Sequence, residues 1–145
     1  PNTIPWDTKA AGLYMICTLS KHEAEKQGYT DSLMLDHEGY VAEATGANIF
    51  FKDKDGTLHT PIPDSFLDGI TRRTVIEIAN SKNIKVNERK IKPEELKNFV
   101  GCFLTGTAAE VTPVSQIDKF NYKVCNTIIQ LSESYQQTVR KKKAA

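Results

Sequence analysis

Sulfur is scarce in this sequence, and so are long apolar runs. The three cysteines, Cys17, Cys102 and Cys125, are odd in number and far apart. They form no CxxC pair and no His/Cys cluster with zinc-ligand spacing, so neither a disulfide framework nor a metal site is expected. They read as free, inert thiols in a reducing compartment. No apolar stretch approaches the ~18–20 residues a membrane span needs, and no basic-then-apolar opening marks a signal peptide. Charge of one sign is also lacking: 19 Lys+Arg stand against 18 Asp+Glu, for a net charge of +1. That balance gives no electrostatic case for a nucleic-acid partner or an anionic membrane surface. GxSxG, P-loop and dinucleotide GxGxxG motifs are absent. The three histidines, His22, His37 and His59, fall in a helix, a turn and a hairpin strand and read as structural or surface groups.

What is present fits one globular domain of 145 residues, 39% hydrophobic and 26% charged, large enough to bury a core. Residues 1–12 read as an irregular lead-in. The spacing of Leu13, Ile16, Cys17, Leu19 and Ala24 predicts a helix to Gln27, with Gly28 at its C′ position. Ser32–Asp36 reads as a buried strand, and Tyr40–Ala44 returns after a His37-Glu38-Gly39 turn. Asn48–Lys52 and Thr57–Thr60 flank an Asp55-Gly56 hairpin signal. A periodic helix opens at Gly69-Ile70-Thr71 and ends over Asn80–Asn83. Ile84–Glu88 is a strand, and Pro93 starts a helical turn with Glu94 and Glu95 beside its positive end. Val100–Thr105 is a strand, Glu110–Ile117 is extended, Val124–Arg140 is a helix, and 141–145 is a basic tail. Helices alternate with strands, several of them joined by hairpin-length turns. The fold class is α/β or mixed α+β with a mixed sheet.

Four features invite a chemical reading. Lys9 lies in an Ala/Gly setting just before a helix. It is either a surface lysine or an amine in an apolar pocket, where lost solvation leaves a nucleophile able to form a Schiff base. Glu43 alternates with Ala42 and Ala44 in a strand. A carboxylate there is costly unless it meets a cation or a donor. It is either half of an ion pair with an arginine, an edge residue, or a functional acid. Gly69-Ile70-Thr71 opens a helix whose free N–H groups and hydroxyl suit an anion, although Thr71 could simply cap the helix. Gly106-Thr107-Ala108 offers a hydroxyl beside further N–H groups after a buried strand. Two anion-ready segments, one lysine and one buried acid together suggest a phosphorylated cofactor held at both ends.

In order along the chain stand Lys9-Ala10-Ala11-Gly12-x-Tyr14, Glu23-Ala24 to Gly28-Tyr29, and Leu33-Met34-Leu35-Asp36-x-x-Gly39-Tyr40-Val41-Ala42-Glu43. Gly46-Ala47-Asn48-Ile49-Phe50, Thr60-Pro61 and Leu67-x-Gly69-Ile70-Thr71-Arg72 follow, and then Leu104-x-Gly106-Thr107-Ala108-Ala109-Glu110-Val111-Thr112-Pro113-Val114. Together they resemble the branched-chain amino-acid aminotransferases, class IV pyridoxal-phosphate enzymes with the D-amino-acid-aminotransferase-like fold. The likeness runs over roughly residues 6–140. The Lys-Ala-Ala-Gly-x-Tyr and Gly-Thr-Ala-Ala-Glu-Val-Thr-Pro-Val stretches favour this group over D-amino-acid transaminases and aminodeoxychorismate lyases of the same fold.

The resemblance implies pyridoxal 5′-phosphate as cofactor, and amino transfer from Leu, Ile or Val to 2-oxoglutarate. Lys9 would hold the cofactor as a Schiff base and later shuttle a proton between the substrate Cα and the cofactor C4′. Tyr14 would bond the phenolic oxygen and Glu43 the pyridine nitrogen, keeping it protonated. Gly69, Ile70, Thr71, Gly106 and Thr107 would cradle the phosphate, and Leu67 would pack on the ring. The Ala108 and Ala109 N–H groups would hold the substrate carboxylate. It further implies a cytoplasmic homodimer or higher oligomer, with a mixed sheet or pseudobarrel flanked by helices.

The family carries a smaller N-terminal domain before the catalytic lysine, whereas here only eight residues precede Lys9. The chain is therefore expected to be the C-terminal cofactor-binding domain, 1–145, with the N-terminal domain missing. Little or no turnover is expected from it alone. Leu13 stands where many relatives have asparagine. Two alternatives stay open: a lyase or D-amino-acid transaminase of the same fold, and a non-catalytic folded fragment that self-associates through exposed apolar surface.

Overall fold

A computed structural model describes residues 4–140. The lead-in closes with a 3₁₀ turn, Ala11–Leu13, that runs into helix α1 (Tyr14–Lys26). Gly28 ends α1 at φ +86°. The Gly28 N–H donates to Glu25 O and the Tyr29 N–H to Ala24 O, both at 3.0 Å, the paired closure that a left-handed C′ residue permits. Strands β1 (Leu33–Leu35) and β2 (Val41–Ala44) form an antiparallel ribbon. Asp36 shapes its turn by accepting the N–H groups of Glu38 and Tyr40, each at 2.9 Å.

Strand β3 (Asn48–Lys52) follows at once and turns back through Gly56, at φ +92°, into β4 (Leu58–Thr60). Helix α2 (Ile70–Ser81) then crosses over to β5 (Val86–Glu88), which lies parallel to β4. Such a connection needs a helix-length crossover. Asn83, at φ 57°, closes α2 in the same manner as Gly28 closes α1. A 3₁₀ segment, Pro93–Asn98, leads to β6 (Gly101–Gly106), paired antiparallel with β3, and then to β7 (Glu110–Pro113). The ribbon β8 (Gln116–Ile117) and β9 (Phe120–Asn121) precedes α3 (Asn126–Val139).

The principal sheet runs β5-β4-β3-β6-β7 and is mixed, as expected. Alternation along β3 and β6 divides the core in two. Phe50 and Phe103 stack at 4.9 Å and pack with Val75 and Ala79 of α2 and Ile128, Leu131 and Tyr135 of α3. On the opposite face Ile49, Phe51 and Cys102 pack with Val41, Ile91, Leu96, Phe99 and Tyr122.

Some expectations need correction. The strand foreseen at 32–36 is only Leu33–Leu35, and it is not fully buried: Leu35 is exposed, because its only sheet neighbour is β2. The extended run 110–117 is interrupted at Val114 and Ser115, where the chain leaves the main sheet for the separate β8–β9 ribbon. Helix α3 starts at Asn126, two residues later than its spacing predicted, after an extended Cys125. The basic tail lies outside the described residues. Among those described, no helix is long and apolar enough to cross a membrane.

Candidate active site

One end of the principal sheet gathers the chemistry. Asn48 opens β3 and pairs with Thr105 near the end of β6. Glu43 lies in β2, and Gly69 leads into α2 at Ile70. The Asn48 side chain joins these parts. Its Nδ2 donates to Glu43 Oε2 at 3.1 Å and to Leu67 O at 2.9 Å, and its Oδ1 accepts the Gly69 N–H at 3.1 Å. Gly69 is required for this approach, because a Cβ there would lie 2.4 Å from Asn48 Oδ1.

Glu43 is partly buried, and burial pushes its carboxyl up to about 7. The ion pair with an arginine left open above is not found. Among the described residues no cation lies within ion-pair distance of Glu43, and Asn48 is its side-chain partner. Arg72 is fully committed elsewhere. Its buried guanidinium donates to Thr60 Oγ1 (3.3 Å), Asp68 Oδ1 (2.9 Å), Pro61 O (2.9 Å) and Glu88 Oε2 (2.6 Å). It thereby holds the 61–69 segment against β4 and β5.

Helix α2 starts without a side-chain cap and with no acid in its first turn, so the N–H groups of Ile70 and Thr71 face outward at the positive end of the dipole. Ile70 is exposed, while Thr71 is buried with its hydroxyl 3.3 Å from Tyr135 Oη. Leu67, Gly69 and Gly106 are partly buried, and Thr107 and Ala108 are exposed in the turn between β6 and β7. Glu110 closes that turn at φ 48° and receives Arg140 at 2.7 Å. Lys9 and Tyr14 are exposed on the lead-in and the start of α1, and neither reaches Glu43. The structure thus brings together Glu43, Leu67, Gly69, Ile70 and Thr71 through Asn48. Among the described residues, no side-chain hydrogen bond or ion pair joins Lys9 or Tyr14 to them.

Sequence reasoning assigned no role to Asn48, Tyr135 or Thr105. Thr105 is 1% exposed, and its Oγ1 is the one buried side-chain polar atom without a partner among the described residues. It shares a sheet face with Asn48. An uncompensated acid at one point, with N–H donors and hydroxyls at another, complements a ligand that carries a basic nitrogen and an anionic group. The residues present therefore fit a phosphopyridine. A cavity of about 790 Å³ between α1, β1 and β7–β8 is lined by none of the predicted site residues.

The three cysteines are free, and burial pushes the Cys102 thiol well up, which suits inert groups. His59 is structural, held between Asp53 at 2.8 Å and the Arg89 Nε at 3.1 Å. No cluster able to hold a metal ion occurs among the described residues.

A mixed-sheet α/β domain with an acid and an open helix start at one sheet end is the architecture defined by these residues. The chain belongs to the amino-transferase class IV family, whose profile matches residues 4–117. Among curated relatives, the probable branched-chain-amino-acid aminotransferase of Rickettsia felis is 51% identical over 124 residues, covering 86% of this chain and 42% of the relative. The branched-chain-amino-acid aminotransferase of Escherichia coli K12 is 43% identical over 119 residues, covering 81% and 38%. Among solved structures, the branched-chain aminotransferase of Thermoproteus uzoniensis with norvaline superposes with a TM-score of 0.90 at 38% identity, covering 95% of this chain and 46% of that one. The branched-chain amino acid aminotransferase of Thermobaculum terrenum in its PLP form gives 0.90 at 37%, covering 95% and 46%. The chain spans less than half the length of each.

Proposed function

We propose that this chain is the C-terminal cofactor-binding part of a branched-chain-amino-acid transaminase that takes pyridoxal 5′-phosphate. The observation that carries this reading is Glu43: a partly buried acid with no cation partner among the described residues, fixed beside the uncapped start of α2. The PLP form of the Thermobaculum terrenum relative supports the choice of cofactor. Bound there, pyridoxal phosphate supplies the electron sink that makes an amino-acid Cα proton removable at neutral pH. Glu43 holds the ring nitrogen's proton. Leu67 packs on the ring, and Tyr14 donates to its phenolic oxygen. The Ile70 and Thr71 N–H groups and the Thr71 and Thr107 hydroxyls receive the phosphate, with Gly69 and Gly106 permitting close backbone approach. The Lys9 amine anchors the cofactor and moves the Cα proton. The Ala108 and Ala109 N–H groups receive the carboxylate of Leu, Ile or Val, and 2-oxoglutarate is the amino acceptor.

The branched-chain assignment is favoured over the lyase and D-amino-acid alternatives by the names of the relatives above. Added pyridoxal phosphate should give a visible absorbance band that is absent in Lys9→Ala, and borohydride reduction should leave the cofactor mass on the peptide holding Lys9. No Lys9-dependent band would overturn the reading. Glutamate formation from leucine and 2-oxoglutarate, against pyruvate release from aminodeoxychorismate, separates transaminase from lyase. Turnover by this chain alone is expected to be low, because a site open to water loses preorganisation.

A further inference from the structure

Asn48 is an amide inside an apolar strand, flanked by buried Ala47, Ile49 and Phe50, where an unpaired polar group would cost about 1–3 kcal/mol. Both of its N–H donors and one acceptor position of Oδ1 are used. The two backbone partners leave no freedom in how the amide is turned. Leu67 O only accepts and the Gly69 N–H only donates, so rotation of the amide by a half-turn would set oxygen against oxygen and N–H against N–H. Nδ2 therefore has to be the atom on the Glu43 side, where it reaches Oε2 and not Oε1.

We propose that Asn48 is a positioning residue for Glu43. Its locked amide engages Oε2, leaves Oε1 as the free oxygen that meets the basic nitrogen of the ligand, and fixes the spacing between that nitrogen and the anion-ready start of α2. The inference rests on the reading of Glu43 as the partner of the cofactor ring nitrogen. The second half follows from Gly69, which is bonded to the same amide and immediately precedes Ile70 and Thr71. One side chain thus ties the acid end of the site to its phosphate end. Donation to the ionised carboxylate opposes the effect of burial and keeps Glu43 ionisable near neutrality. The other titratable groups beside it are the Cys17 thiol of α1, pushed up by burial and further by Glu43 and Asp31, and Asp31 itself, capped by Thr45.

The test is made on the chain without cofactor, so that it fails separately from the Lys9 absorbance test. In ¹⁵N-labelled wild-type protein, the Asn48 side-chain amide resonances should move with a midpoint matching the carboxyl titration of Glu43. They should stay still in Glu43→Gln and keep moving in Cys17→Ser. In Asn48→Ala and Asn48→Asp, the Glu43 carboxyl, followed by ¹³C, should bind its proton about tenfold more tightly, the size expected for one lost bond to a charged group. A wild-type Asn48 amide that ignores the Glu43 titration overturns the proposal, and so does an unchanged Glu43 midpoint in a folded Asn48 variant. If neither variant folds, the wild-type titration decides alone.

Discussion

At the scale of single residues, Glu43 makes stability depend on pH. Its carboxyl sits near 7 in the fold against 4.5 for an unperturbed glutamate, so the folded state binds its proton more tightly than the unfolded chain does. The benefit is complete below about pH 4.5 and is lost as pH rises through 7, a difference on the order of 3 kcal/mol at most. Urea titrations at pH 5 and pH 8 should show Glu43→Gln losing less stability across that window than wild type; parallel losses would contradict the burial effect. Gly69→Ala should weaken pyridoxal phosphate binding at least tenfold, because the added Cβ collides with Asn48 Oδ1. The readout is an absorbance titration, with circular dichroism as the control for folding. Glu43 was legible in the sequence because a carboxylate among alanines needs a reason. Asn48 follows from the same logic, an amide among Ala47, Ile49 and Phe50, but its partners are 5, 19 and 21 residues away, and no local pattern reports contacts at those separations.

At the scale of elements, the phosphate end of the site depends on how α2 is seated. The helix packs Val75 and Ala79 against the Phe50–Phe103 stack. Phe103→Ala should therefore cost about 3–5 kcal/mol, the range for deleting a buried aromatic, and lower cofactor affinity as α2 loosens. Denaturant midpoints and the same absorbance titration check both. Periodicity made α1 and α2 legible, and glycine with positive φ made the end of α1 and the hairpins legible. The β8–β9 ribbon was not, since two-residue strands carry no period. The half-exposure of β1 was hidden too, because the run Leu33-Met34-Leu35 looks the same whether one face is covered or both.

At the scale of the whole molecule, α1 buries none of its residues. Met15 is 70% exposed, Ile16 64% and Leu19 68%. Apolar side chains grouped on one helix favour association, here between copies of the chain. Sedimentation velocity should show a concentration-dependent shift to dimer or larger species, suppressed in an Ile16→Glu, Leu19→Glu double variant. A wild-type chain that stays monomeric at all concentrations would contradict it. The resemblance legible in the sequence extended to this scale only as an expectation, because the chain matches less than half of each relative.

The guanidinium of Arg72 has a consequence that reaches across the sheet. Glu88, one of its acceptors, lies on β5, an edge strand, while Thr71 precedes Arg72 in sequence. The rim of the sheet and the cofactor cradle are thus strung on one side chain, so a mutation or a foreign strand that displaces the rim tugs on the phosphate pocket from the back.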